Sequence, residues 1–115
     1  MIESAVEKLL PTLNHMKQRP NVWFHEGAYL EGLYTFLLGY SMSAKDHADL
    51  QVFALGPDFA RWLVAEKGFT GEPALPWPTI VRENCANDDE GFQRAFELIS
   101  EYNDWPQIDG DLTKF

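Results

Sequence analysis

The sequence predicts an all-α fold, a compact single-domain bundle of about five helices around a buried central helix. Four long segments place their apolar residues at helical spacing, and runs that alternate like a strand are too short to define one. The chain has 115 residues, of which 45% are hydrophobic, enough for one core without disulfide or metal staples. It carries no internal repeat, so residues 1–115 are read as one domain. Residues 107–115 show no periodicity and are expected to form a loosely held tail.

Ser4-Ala-Val-Glu7 has the form of a capping box, with Ser4 as N-cap and Glu7 reaching back. Val6, Leu9, Leu10, Leu13 and Met16 then keep helical phase to Lys17. Pro11 falls inside that pattern and either kinks one helix or opens a second. The unbroken apolar phase favours a kinked helix, and Arg19-Pro20 ends it because the residue before proline is pushed out of the α region. Residues 21–28 form a connector whose Val22, Trp23 and Phe24 are expected to tuck beneath the central helix.

That central helix spans Tyr29 to Met42. Leu30, Leu33, Tyr34, Leu37, Leu38 and Ser41 share one face, and Phe36, Tyr40 and Met42 widen it. A helix apolar nearly all round is expected to be wrapped by its neighbours. Gly32 and Gly39 each cost about 1 kcal/mol against alanine inside a helix, which predicts close helix crossings at both positions. Lys45, Asp46, His47 and Asp49 make a polar link. Gly56-Pro57-Asp58 then reads as N-cap, proline at the first helical position and an acid against the helix dipole. Phe59, Trp62, Leu63 and Glu66 continue that helix until Gly68 stops it.

Thr70 to Pro78 holds Gly71 and three prolines, the composition of an ordered loop. Trp77, Ile80 and Val81 begin a short helix that ends near Asn84. Asp88-Asp89-Glu90 opens the last helix with acids at the favourable end. Phe92, Ala95, Phe96, Ile99 and Tyr102 mark its inner face up to Trp105-Pro106.

Chemical candidates are few. His15, His25 and His47 lack close ligand spacing, and His25-Glu26 lacks the second histidine of H-E-x-x-H. Asp46, His47 and Asp49 could put ligands on one helical turn, but a solvated linker has the same composition. Cys85 is the only cysteine, and no partnering base for a nucleophile is readable. There is no P-loop, dinucleotide fingerprint or nucleophile elbow. The expectation is no enzyme, no cofactor and no metal. No apolar run nears the roughly 20 residues of a membrane span, and MIESAVEKLL does not read as a signal peptide. A cytoplasmic protein is expected.

Charge is the informative feature. The formal net charge is −9, of which −7 lies in residues 83–115. Such a field repels nucleic acid and anionic lipid and attracts basic partners, although acidity also serves solubility alone. On the last helix the outward positions include Arg94 and the acids Asp89, Glu97, Glu101 and Asp104. Core filling accounts for Trp23, Trp62 and Trp77, whereas Trp105 beside Pro106 is expected to be partly exposed. Asp89, Glu97, Glu101, Asp104 and Trp105 are therefore the candidate partner-binding residues.

Arg19-Pro20, Trp23-Phe24 and Leu33-Tyr34-Thr35-Phe36-Leu37-Leu38-Gly39-Tyr40 resemble the RPxMYLG…L..FLxGY pattern of a group of small bacterial helical proteins. Trp77 with Ile80-Val81, and the run from Asp89-Glu90 to Glu97-Leu98-Ile99-Ser100-Glu101-Tyr102, resemble the later W..II and acidic EAF..FFELLxEF segments of that group. The chain departs from it where Val22-Trp23-Phe24-His25 replace M-Y-L-G and where Gly91 replaces the alanine of EAF. Some members look like cytoplasmic immunity proteins of contact-dependent growth-inhibition toxin systems. The resemblance implies a non-enzymatic inhibitor that binds one cognate toxin, a basic nuclease, and covers its active site. A homo-oligomeric structural or regulatory adaptor is the alternative.

Overall fold

A computed structural model describes residues 3–43 and 57–110, with side chains from 9 to 40 and from 58 to 110. The described residues form six helices and no strand: α1 (Glu3–Gln18), α2 (Pro20–Trp23), α3 (Tyr29–Ser43), α4 (Pro57–Ala65), α5 (Trp77–Glu83) and α6 (Asp88–Asn103). The all-α, single-domain expectation holds, with one short helix more than the expected five.

α1 is one helix that contains Pro11, which lies on its exposed side. Leu9, Leu10, Leu13 and Met16 are buried, as their spacing requires. The Ser4–Glu7 capping box lies outside the described side chains. Arg19 leaves the helical region, with φ −133° and ψ 66°, and Pro20 opens the four-residue α2. The connector was expected to be inside, yet Val22 is 65% and Trp23 42% exposed. Only Phe24 turns inward, against the Phe92 ring at 5.9 Å. In α2 and the turn after it, one ring suffices to fill the space under α3.

α3 packs chiefly on α6, and also against α5. Its inner face is Tyr29, Leu30, Leu33 and Leu37, all buried. It is not wrapped all round among the described residues: Leu38 is 47% exposed, and Thr35 and Gly39 are exposed too. The two glycine expectations divide. A Cβ on Gly32 would fall 2.3 Å from Cδ1 of Phe24, so the close approach is real, but it comes from a ring in the connector rather than from a helix. A Cβ on Gly39 would meet nothing within 4 Å among the described residues. The glycine at a helix crossing is Gly91 of α6, where a Cβ would lie 2.7 Å from Cδ1 of Leu30 in α3. Gly91 marks that α3–α6 crossing on α6.

α4 buries Phe59, Ala60 and Leu63. Gly68, at φ +71°, turns the chain after it, and the Phe69 amide closes back on the Leu63 carbonyl at 3.1 Å. The proline-rich loop that follows is held by Asn84. Its carboxamide accepts from the Thr70 amide at 3.0 Å and donates to the carbonyls of Thr70 and Ile80 at 2.8 Å each. Trp77, Ile80 and Val81 of α5 enter the core as expected.

The described part of the tail is fastened, contrary to expectation. Ile108 is fully buried, and its carbonyl accepts from Lys17 Nζ at 2.9 Å. The Gly110 amide donates to Oδ1 of the buried Asn14 at 2.6 Å. A single apolar residue with two polar anchors fixes these residues on α1 without any periodicity in sequence. Residues 111–115 lie outside the described residues, as does the Lys45–Asp49 link.

Candidate partner-binding surface

α6 is built differently at its two ends. Asn87 is the N-cap, and its side chain accepts the Glu90 amide at 2.8 Å. Asp88, Asp89 and Glu90 occupy the first turn, where carboxylates offset the positive end of the helix dipole. Asp88 also serves a second helix. Its Oδ2 accepts the Tyr29 amide at 2.8 Å and its Oδ1 the Leu30 amide at 3.3 Å, so one carboxylate satisfies the first free N–H groups of α3.

The inner face of α6 is Phe92, Ala95, Phe96, Leu98 and Ile99, all buried. Phe92 and Phe96 meet edge to face at 4.9 Å. The outer face exposes Asp89, Glu90, Gln93, Arg94, Glu97 and Glu101, and Asp104 follows as the exposed C-cap. Asp104 adopts the left-handed conformation with φ 56° and ψ 42°.

At the C-terminal end of α6 a groove of about 410 Å³ opens. Four of the five candidate residues converge on it: Glu97, Glu101, Asp104 and the half-buried Trp105. Asp89 does not belong to it. It lies eight residues before Glu97, about 12 Å along the helix axis, beside a separate shallow depression with Pro20, Tyr29 and Phe92.

Lys67, Arg94 and Ser100 also line the groove, and of these helical phase placed only Arg94 outward in advance. Lys67, from the turn after α4, pairs with Glu101 at 2.6 Å and sits 5.7 Å from the centre of the Trp62 ring. Arg94 places its guanidinium 5.3 Å from the centre of the Phe69 ring. Ser100 is 2% exposed, and its hydroxyl has no hydrogen-bond partner among the described residues. The Lys67–Glu101 pair joins residues 34 apart, and no periodicity reports such a pairing. The serine had a readable signal, since position 100 falls on the inner side of α6 between Phe96 and Asn103.

The electrostatics of the groove are unbalanced. Both cations are engaged, Lys67 by Glu101 and Arg94 by an aromatic face. Glu97 and Asp104 form no salt bridge among the described residues. Glu97 instead acts at a distance on Lys17, whose pKa burial lowers while Glu97 and Asp109 pull it up. The last turn of α6 contains no basic residue, although that end of a helix favours cations.

Elsewhere, His15 accepts the Trp23 indole N–H on Nδ1 at 2.7 Å, and His25 is exposed. Among the described residues no group of three His, Cys, Asp or Glu side chains is placed to hold a metal, and no helix is long and apolar enough to cross a membrane. Asp46, His47 and Asp49 lie outside the described residues. Burial, helped by Glu90 and opposed by Arg94, raises the pKa of the Cys85 thiol, the reverse of what activates a nucleophile. A second depression of about 500 Å³ lies between Tyr34, Arg61 and the Pro73–Trp77 loop, with Arg61 held by Asp58.

No family model, no curated protein and no solved structure matches this chain. The resemblance to the small helical proteins therefore rests on the quoted motifs. Within them Leu33, Leu37, Trp77, Ile80 and Val81 are core residues, so these motif positions report packing.

Proposed function

We propose that this protein is a non-enzymatic inhibitor that binds a basic protein partner through the acidic outer face and C-terminal end of α6. In the form the motif resemblance supports, it is a cytoplasmic immunity protein that covers the active site of a cognate nuclease toxin. One observation carries the reading. Glu101 and Asp104 lie at the end of a helix where negative charge opposes the dipole, with Glu97 one turn before them, and among the described residues Lys67 is the one cation in a salt bridge with them. Acids in that position do not help the helix. A basic surface brought against them gains attraction and fast encounter, and carboxylates in a row stand in for the phosphates that a nuclease recognises.

The test uses proteins encoded beside this gene. A toxic neighbour should form a one-to-one complex with the protein, and co-expression should protect growth. Glu97→Lys with Glu101→Lys should abolish protection while the protein stays folded, and association should slow as salt rises. If the double variant protects fully with an unchanged salt dependence, this face is not the interface.

A homo-oligomeric adaptor is the second reading, favoured by the exposed Val22 and Trp23 on α2. Sedimentation of the protein alone separates the two. A stable dimer or larger species lost on Trp23→Ser supports the adaptor, and a monomer at all concentrations supports the inhibitor.

A further inference from the structure

We infer that the groove at the C-terminal end of α6 is a socket for one basic side chain, a lysine or arginine projected by the protein partner. This deepens the preceding reading and takes its basic partner as a premise. Three features define the socket. Its walls carry Glu97 and Asp104, two carboxylates without a salt bridge among the described residues. It stands at the negative end of a 16-residue helix whose last turn has no basic residue. It is also lined by Ser100, nine-tenths or more buried, whose hydroxyl lacks a hydrogen-bond partner among the described residues.

The hydroxyl decides between a charged surface and a built site. A serine inside a helix ordinarily satisfies itself on the carbonyl four residues back, and native proteins leave few buried polar groups unpaired. A hydroxyl oxygen has lone pairs to accept from an ammonium or guanidinium N–H. The aliphatic stem of lysine or arginine would lie along Leu98 and Trp105, with the charged head between the carboxylates. Arg94 and Lys67 do not fill this place. Arg94 stacks against Phe69, and Lys67 is drawn toward Glu101 and Trp62. Both raise the potential locally and would turn away a second incoming cation, so the place takes only one. An anionic ligand faces three carboxylates and the helix carbonyls.

The experiment is a nuclear magnetic resonance titration of the full chain with Nα-acetyl-lysine amide and Nα-acetyl-arginine amide, using Nα-acetyl-norleucine amide as the uncharged control. The expected result is saturable shifts confined to amides of residues 97–107 for the two cations and none for norleucine. Affinity should fall about threefold or more as ionic strength rises from about 0.01 to about 0.15 M, where the Debye length shrinks from about 30 to about 8 Å. Glu97→Gln with Asp104→Asn should abolish the shifts. Ser100→Ala should weaken binding by about tenfold, as expected for loss of a hydrogen bond to a charged group, with an unchanged amide spectrum elsewhere. A flat titration, equal shifts from norleucine, or full affinity in Ser100→Ala would overturn the socket. These outcomes leave the toxin-protection assay to be read separately, because a partner could still bind the α6 face without inserting a side chain.

Discussion

The two ends of α6 carry similar charge to opposite effect. At the start, Asn87 caps the helix, the acids of the first turn match the dipole, and Asp88 reaches across to hold the first amides of α3. At the finish, Glu101 and Asp104 lie where the dipole is already negative, with Glu97 one turn before them, and among the described residues Lys67 from another part of the chain is the one cation in a salt bridge with them. The first set of acids is explained by folding. The second set is not, and that difference is what favours the C-terminal end of α6 as the proposed partner surface over a reading from total charge.

Substitutions at the N-terminal end should therefore cost stability in proportion to what they hold. Phe92→Ala removes a fully buried ring that touches Phe24, Tyr29 and Phe96, and should cost about 3–5 kcal/mol in urea unfolding. Asp88→Ala strips the α3 amides of their acceptor and should cost about 2 kcal/mol. Asn87→Ala loses one cap and should cost about 1 kcal/mol. Were Asp88→Ala as mild as an exposed surface change, the contrast between the two ends would collapse.

At the other end the same kind of change should be nearly silent for folding. Glu97→Gln should stay within about 0.5 kcal/mol of the parent. Cys85 gives a smaller and pH-dependent effect. Because burial raises its folded pKa above the ordinary 9.0, stability from the neutral thiol is complete below pH 9 and declines as pH climbs from there toward the folded value. Cys85→Ala should flatten that part of the stability–pH curve, and the native thiol should alkylate slowly at pH 7.

Much of this architecture was legible in the residues, because a helix writes its buried face into a local period. Leu33, Leu37, Phe59, Leu63, Phe92 and Phe96 fell where their spacing placed them. Gly68 and the acids at 88–90 marked helix ends by chemistry that acts within one turn. What escaped depends on partners far along the chain. Gly39 and Gly91 look alike in sequence, yet among the described residues Gly91 meets another helix, at Leu30, and Gly39 does not. Trp23 looked like core and is exposed, since its indole N–H is satisfied by His15 at the surface. Ile108 looked like tail and is core, because Lys17 and Asn14 hold the chain around it. Of the candidate site, the carboxylates could be listed from helical phase and Trp105 from its place after the last helix, beside Pro106. Their convergence with Lys67 and Ser100, and the separation of Asp89 from them, required the fold.

The cleanest probe of the division between the two ends is Asp104→Asn. Asparagine tolerates the left-handed conformation that Asp104 occupies, so the substitution removes only a negative charge from the C-terminal end of α6. If these acids are kept for a partner at the expense of the helix, the unfolding free energy in urea should rise by about 0.3–1 kcal/mol at low ionic strength, with the gain shrinking in salt. A fall in stability would contradict this, because it would mean that Asp104 serves the fold and that its end of the helix is no freer than the other.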